Sequence, residues 1–136
     1  MKKNIVITGG NGRFGSVLKK INSKNNYLFP DKRQLNILKL NSIKNYLKII
    51  KPKIVIHLAG LSRPMNIHEK NIIKSIDLNI IGTANLVKIC SLLNIKLVYF
   101  STHYVYPCNK GNYSEKSPLL PINNYAWSKL GGEAAV

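Results

Sequence analysis

The stretch that decides the fold is residues 4–15, Asn4-Ile5-Val6-Ile7-Thr8-Gly9-Gly10-Asn11-Gly12-Arg13-Phe14-Gly15. Its first five residues include four β-branched ones and predict a short buried strand. Gly9, Gly12 and Gly15 then follow at a spacing of three, just before an apolar repeat of helical period. In such a turn the first glycine permits the bend, the second lets the backbone approach a pyrophosphate, and the third lets the helix pack closely on the strand. We therefore expect a phosphate-binding loop here, at a helix N-terminus that attracts anions.

Beyond this stretch, strand and helix patterns alternate along the chain. Further strands are predicted at residues 27–29, 54–58 and 97–101, and helices at 14–21, 43–50, 67–93 and from 123 or 124 onwards. Gly82 lies inside the long third helix and marks a predicted bend. This alternation predicts an α/β protein, a three-layer Rossmann fold with a parallel sheet over residues 1–136. Ligands of such sheets bind beyond the carboxyl ends of the strands.

The composition fits one globular domain, because 136 residues with 45% hydrophobic content can form a core. The net charge of +16 admits three interpretations: nucleic-acid binding, attraction of anionic substrates, and compositional drift in a chain rich in Lys, Asn and Ile. The lysines are scattered, so nucleic acid is not an expected partner. Cys90 and Cys108 form no metal or redox spacing, and no metal is expected. Neither a signal peptide nor a membrane span is predicted, so we expect no membrane partner and a cytoplasmic location.

A second motif lies at Tyr125-Ala126-Trp127-Ser128-Lys129. A spacing of four places Tyr125 and Lys129 on one face of a helix. A nearby ammonium group lowers the pKa of a tyrosine, which can then exchange a proton with a carbonyl or hydroxyl group. This pair is the predicted acid–base centre.

The two motifs resemble the short-chain dehydrogenase superfamily, with its T-G-x-x-G-x-x-G loop and Tyr-x-x-x-Lys pair. The segment from Tyr113 to Glu133 is similar to the pattern Y-x-E-x-x-P-x-x-P-x-N-x-Y-x-x-S-K-L-x-G-E of extended members that modify nucleotide-sugars. The resemblance implies that Tyr125 transfers a proton and that Lys129 tunes it and grips the cofactor ribose. It also implies that Thr102 orients the substrate oxygen, with Ser101 as the alternative.

Two residues depart from the pattern of the resembling reductases. His103 stands where those proteins usually carry Asp, which puts a carboxylate-assisted step in doubt. Cys108 stands where a glycine is usual, and we expect this to change a loop turn.

The segment after the second strand bears on the choice between NAD and NADP. Asp31 alone would favour the ribose 2′-hydroxyl of NAD, whereas Lys32 and Arg33, with Arg13 of the glycine loop, favour the 2′-phosphate of NADP. Residues 32–37 resemble the R-x-x-L-N/D-L/I segment of NADPH-using reductases of nucleotide-sugars. The resemblance implies that Lys32 binds the phosphate and that Asn36 and Ile37 flank the adenine. NADP(H) is therefore the favoured cofactor.

Other candidate residues lie near the predicted strand ends. Residues 56–60 resemble the H/N-x-A-A/G segment that runs under the nicotinamide ribose, which adds Leu58, Ala59 and Gly60 to the cofactor site, while His57 is expected in the core. Residues 79–86 resemble an N-x-x-G-T-x-N-L stretch. Phe14 and Trp127 are expected either to contact a ligand or to pack against the protein. His68 and Glu69 are expected at the surface. Asn79 is expected either to support the site or to be an ordinary polar residue of a helix face.

The resemblance implies an NAD(P)-dependent reductase of a 4-keto nucleotide-sugar. It covers only the first half of the family's length, so the C-terminal substrate part is missing and the sheet should keep an exposed edge. One alternative is an epimerase or dehydratase of the same superfamily. Another is a non-catalytic, cofactor-binding regulatory subunit. A nucleotide-sugar is the expected substrate partner, and a homodimer is an open expectation.

Overall fold

A computed structural model describes residues 3–21, 25–109 and 111–136 of the chain. Its strands are β1 Asn4–Thr8, β2 Asn26–Leu28, β3 Ile54–His57 and β4 Lys96–Tyr99. Its helices are α1 Arg13–Leu18, α2 Leu40–Ile50, α3 Ile67–Lys70, α4 Ile72–Ser75, a π-helical segment Ile76–Ile81, α5 Gly82–Leu92, a 3₁₀ turn His103–Val105 and α6 Asn124–Glu133.

The four strands form one parallel sheet in the order β2-β1-β3-β4. Ile7 of β1 pairs with Ile56 of β3, which in turn pairs with Val98 of β4. The predicted α/β Rossmann fold with a parallel sheet is therefore confirmed. Among the described strands β4 lies at one edge, and its outer side has no partner strand.

The main core lies between the sheet and the helices α2 and α5. Val6 and Val55 of the two central strands are fully buried, as are Ile43 of α2 and Leu86 of α5. Alternate residues of a strand point to opposite faces, so Ile7, which is also fully buried, lies on the other side of the sheet. Burial on both faces explains why β1 reads as an almost continuous apolar run.

The predicted third helix is not continuous. The break lies at Asn71, whose backbone leaves the helical region with φ −143° and ψ 73°. At Gly82 the chain stays helical and passes from the π-helical segment into α5, so the predicted bend at Gly82 is wrong. The Asn71 side chain accepts a hydrogen bond from the Lys74 amide and begins α4.

Smaller differences affect the other elements. β2 and β4 begin one residue earlier than predicted, and β4 ends two residues earlier. α1 ends at Leu18. The apolar repeat of the sequence predicts a buried helix face here, but three of its side chains are each about half exposed: Phe14, Val17 and Ile21. No helix in the described part of the chain has the length and apolar character needed to cross a membrane.

Candidate functional site

The glycine loop is held tightly against the end of β3. Gly9 has φ +73°, and a Cβ atom there would lie 2.5 Å from the Ala59 amide nitrogen. A Cβ on Gly15 would lie 2.6 Å from the Gly9 carbonyl oxygen, which also accepts a hydrogen bond of 2.9 Å from the Gly12 amide. Only glycine fits at Gly9 and Gly15, as expected for a loop that brings backbone N–H groups close to a ligand.

A continuous groove runs past this loop along the carboxyl ends of the strands. A cavity of about 300 Å³ and a second of about 490 Å³ share Gly9, Gly12 and Gly60. The first is also lined by Lys32, Asn36, Ile37 and Ala59. The second is also lined by Arg13, Phe14, Gly15, Leu58 and Arg63. A third cavity, of about 260 Å³, continues the groove and is lined by Phe14, Leu58, Gly60, Tyr125 and Lys129 among others.

The groove therefore brings the two motifs of the sequence together. Leu58 and Gly60 line both the larger cavity of the glycine loop and the cavity of Tyr125. Phe14 is 46% exposed, and its ring lies 5.2 Å from that of Phe100, so it forms part of the wall rather than of the core. Trp127 is 55% exposed and does not line this groove.

In the turn after β2, the carboxylate of Asp31 accepts hydrogen bonds from backbone amides of the same turn. Its Oδ1 accepts hydrogen bonds from the backbone amides of Arg33 at 2.8 Å and Gln34 at 2.9 Å. The Arg33 guanidinium lies 3.5 Å from Oδ2. The Gln34 amide above all, with Arg33, holds the pKa of Asp31 below its ordinary value. Asp31 and Lys32 both line the first cavity of the groove.

Asn36 and Ile37 are fixed where the groove meets the core. The Asn36 side chain accepts a hydrogen bond of 3.0 Å from the Leu38 amide. Ile37 is only 7% exposed, and its carbonyl oxygen accepts a hydrogen bond of 3.0 Å from Asn85. Ile37 is thus a core residue that also lines the groove.

His57 is buried, as predicted, and belongs to a chain of hydrogen bonds in which the donor and acceptor of each bond can be assigned. Thr83 Oγ1 donates to the Asn79 carbonyl oxygen at 2.8 Å, so it must accept from His57 Nε2 at 3.1 Å. His57 Nδ1 then accepts from Thr8 Oγ1 at 2.8 Å, and Thr8 Oγ1 accepts from the Ala59 amide. Burial, with the charge of Lys129, lowers the pKa of His57 to about 3, so the imidazole stays neutral.

Asn79 is buried and fully hydrogen-bonded, so its alternative as an ordinary polar residue of a helix face is wrong. It is 1% exposed, and its Oδ1 accepts from the Leu61 amide at 2.7 Å. Its Nδ2 donates to the Leu61 carbonyl oxygen at 2.9 Å and to Ser128 Oγ at 2.8 Å. One amide thereby ties the loop after β3 to α6.

Tyr125 and Lys129 lie on successive turns of α6, which begins at the cap formed by Asn123 with the Ala126 amide. The Lys129 ammonium donates to the Phe100 carbonyl oxygen at 2.6 Å and lies 4.1 Å from the centre of the Tyr99 ring. Burial lowers the pKa of Lys129 to about 8, against the opposing charge of Glu133. The ammonium is thus fixed at the end of β4, beside the groove.

The residues that follow β4 lie at the margin of the site. Ser101 is exposed, and neither it nor Thr102 lines the cavity of Tyr125 and Lys129. Thr102 Oγ1 accepts from the Tyr104 amide at 3.4 Å, which leaves its hydroxyl proton free to donate. His103 is exposed with its ring 4.3 Å from that of Tyr104. Cys108 has φ +58°, in the left-handed region that favours glycine.

Two residues expected at the surface contact α6: His68 is buried, whereas Glu69 is exposed as expected. His68 is 1% exposed, its Nδ1 lies 2.7 Å from Ser75 Oγ, and its ring lies 5.0 Å from that of Tyr125. Glu69 accepts hydrogen bonds from the Asn124 side chain at 2.5 Å and from its amide at 3.4 Å. The surface assignment of His68 is therefore wrong, because the break at Asn71 turns α3 towards α6. No pattern in the sequence marks that turn.

The sequence matches known proteins over its whole length. Residues 1–136 match the family described as RmlD substrate binding domain. The crystal structure of dTDP-4-dehydrorhamnose reductase from Bacillus anthracis in complex with NADP superimposes with a TM-score of 0.93 and 33% identity, covering 100% of this chain and 49% of that one.

Two curated relatives have other names. Methionine adenosyltransferase 2 subunit beta of Xenopus laevis is 30% identical over 140 residues, which are 96% of this chain and 42% of the relative. dTDP-D-glucose 4,6-dehydratase of Dictyostelium discoideum is 36% identical over 114 residues, which are 74% of this chain and 26% of the relative. The chain thus spans less than half the length of these relatives. Because the family match covers every residue, the chain belongs to the RmlD substrate binding domain family.

Proposed function

We propose that the chain is the cofactor-binding part of an NAD(P)-dependent reductase that acts on a 4-keto nucleotide-sugar. The observation that carries this proposal is the groove in which the glycine loop and the Tyr125–Lys129 pair share Leu58 and Gly60. The close backbone approach at Gly9 and Gly15 fits a dinucleotide there. When bound, such a cofactor supplies the hydride.

The residues of the chain would bind the cofactor and move the proton. Tyr125 donates a proton to the carbonyl oxygen of the substrate as that carbonyl is reduced. Lys129, fixed by the Phe100 carbonyl oxygen, places a positive charge beside the groove and holds the cofactor ribose. Thr102 uses its free hydroxyl proton to orient the substrate oxygen, with Ser101 as the second candidate.

NADP(H) is the proposed cofactor in preference to NAD(H). A carboxylate that accepts the ribose hydroxyls of NAD needs free oxygens. In Asp31 one oxygen serves two backbone amides and the other faces Arg33. Lys32 lines the groove and would meet the 2′-phosphate. The reductase from Bacillus anthracis was crystallised with NADP, which supports this choice.

Two alternatives are favoured by particular relatives. The similarity to a dTDP-D-glucose 4,6-dehydratase favours the alternative that the protein is a dehydratase or epimerase. The similarity to a protein named as a subunit of methionine adenosyltransferase favours a regulatory subunit that binds the cofactor without catalysis.

A homodimer is also proposed, because α4 and the π-helical segment carry exposed apolar side chains, at Ile72, Ile73, Ile76 and Ile81.

The test is a calorimetric titration of the chain with NADPH and NADH. We expect tighter binding of NADPH, and a Lys32→Gln variant should reduce that preference about tenfold or more, since a hydrogen bond between charged groups contributes about 1.5–3 kcal/mol. Lys48→Gln, which removes a charge from the exposed face of α2, is the matched control. Equal affinity for both cofactors would refute the NADP preference, and binding of neither would refute the function. An assay for reduction of a dTDP-4-keto sugar by the protein distinguishes a reductase from a non-catalytic subunit.

A further inference from the structure

The arginines of the chain have an unusual distribution. The sequence holds 21 basic residues, but only three are arginines: Arg13, Arg33 and Arg63. Each follows the end of one of the first three strands by five or six residues. The lysines are scattered, whereas every guanidinium lies in a segment that follows a strand at the carboxyl edge of the sheet.

Two of these arginines face the same space. Arg13, at the start of α1, and Arg63, in the loop between β3 and α3, both line the cavity of about 490 Å³ beside the glycine loop. Gly12 and Gly60 line the same cavity. A guanidinium presents a planar fork of donors that matches two oxygens of one phosphate, which a lysine ammonium does not.

The base of the Arg63 loop is firmly held. Leu61 lies two residues before Arg63. Its amide donates a hydrogen bond to the buried side chain of Asn79, and its carbonyl oxygen accepts one from the same side chain. On the other side, the Pro64 carbonyl oxygen accepts a hydrogen bond of 3.2 Å from the Ile67 amide. A fixed loop reduces the conformational entropy that Arg63 would lose on binding a ligand.

We propose that Arg63 binds the pyrophosphate of the dinucleotide cofactor from the wall opposite Arg13. This inference rests on the proposed function and adds a residue to it. The glycine loop offers backbone donors on one side of the anion, and Arg63 offers a charged fork on the other. Arg33, which is engaged with Asp31, is not part of this pair.

The experiment compares Arg63→Gln, Arg63→Lys and the charge-matched control Lys48→Gln with the unmodified chain. Each protein is titrated by calorimetry with NADPH, with adenosine 2′-monophosphate, which has neither phosphate of the pyrophosphate, and with dTDP. We expect Arg63→Gln to weaken NADPH binding about 10- to 100-fold, and to change the affinity for the monophosphate less than about twofold. Arg63→Lys should restore only part of the loss, because it keeps the charge without the fork.

The other outcomes separate this inference from the function on which it rests. If Arg63→Gln binds NADPH as the unmodified chain does, the role of Arg63 is refuted and the proposed function stands. An equal loss for NADPH and adenosine 2′-monophosphate, or a loss confined to dTDP, also refutes a pyrophosphate contact. If the unmodified chain binds neither NADPH nor the monophosphate, both proposals are refuted together.

Discussion

At the scale of single residues, Lys129 combines a buried charge with a fixed position. It is 8% exposed, yet its ammonium lies at hydrogen-bonding distance from a backbone carbonyl oxygen and close to an aromatic ring. Burial disfavours the charged form, which is why its pKa falls to about 8. Charge on this group therefore depends on pH in a range where exposed lysines stay protonated.

This pKa predicts how stability changes with pH. Between about pH 8 and the ordinary lysine value of 10.5, the unfolded chain binds more protons at residue 129 than the folded chain. Stability should therefore rise with pH through this window, and level off below about pH 8, where residue 129 is protonated in both states. We expect the free energy of unfolding in urea to rise more steeply for the unmodified chain than for Lys129→Met between pH 7.5 and 9.5. Parallel profiles would contradict the assigned pKa.

Cys108 shows a local cost at the position where the resembling reductases have glycine. Its φ of +58° places Cβ close to the following carbonyl oxygen, which costs about 1–2 kcal/mol for a residue other than glycine. Cys108→Gly should raise the free energy of unfolding by about 0.5–1 kcal/mol after the greater freedom of glycine in the unfolded chain is subtracted. Cys108→Ser keeps the strain and should leave stability nearly unchanged. A gain in the serine variant would point to the thiol instead.

At the scale of elements, one buried amide joins the loop after β3 to α6. Asn79 makes three hydrogen bonds from a side chain that is 1% exposed. Its removal leaves the polar groups of Leu61 and Ser128 without these partners. The π-helical segment places this side chain, since Asn79 lies within it.

Asn79→Ala should therefore lower the free energy of unfolding more than most substitutions outside the hydrophobic core. We expect a loss of about 3 kcal/mol in the free energy of unfolding, because buried donors and acceptors left unpaired cost about 1–3 kcal/mol each. Asn85→Ala, which removes one part-buried hydrogen bond to Ile37, should cost about 1 kcal/mol and serves as the comparison. Equal losses in urea unfolding would show that Asn79 does not join the two elements.

The strands and the glycine loop could be predicted from the sequence because their signals are local. β1 and the glycine turn are written in consecutive residues, and helix α6 is marked by its cap at Asn123. The region from residue 67 to 81 could not be predicted, because its apolar residues fit one long helix equally well. The break at Asn71 and the burial of His68 depend on contacts with α6, far away in the sequence.

At the scale of the whole molecule, the charge is strongly unbalanced. The net charge is +16, and among the described residues one salt bridge is found, between Arg33 and Asp31. Repulsion between like charges destabilises a compact chain more than an expanded one. The groove lies in this field, which favours anionic ligands in general.

Salt should therefore stabilise this protein. Raising NaCl from about 0.05 M to about 0.5 M shortens the screening length well below the spacing of most surface charges. We expect the free energy of unfolding to increase by about 1 kcal/mol, which corresponds to about 4 °C in Tm for a domain of this size. The same measurement on a variant with four exposed lysines of α2 and its flanks changed to Gln should show a smaller increase; these are Lys39, Lys44, Lys48 and Lys51. A fall in Tm with salt would contradict the argument.

The wide turn of the helix at Ile76–Ile81 also bears on how the chain can change in length. A π-helical turn holds one residue more than an α-helical turn, so losing one residue between Ile76 and Leu78 would leave an ordinary helix. The helical turns on both sides would keep their places, because the wide turn absorbs the extra residue. His68 would then stay beside the ring of Tyr125. A change of one residue in length at this point would therefore be tolerated both by the fold and by the contact between His68 and Tyr125.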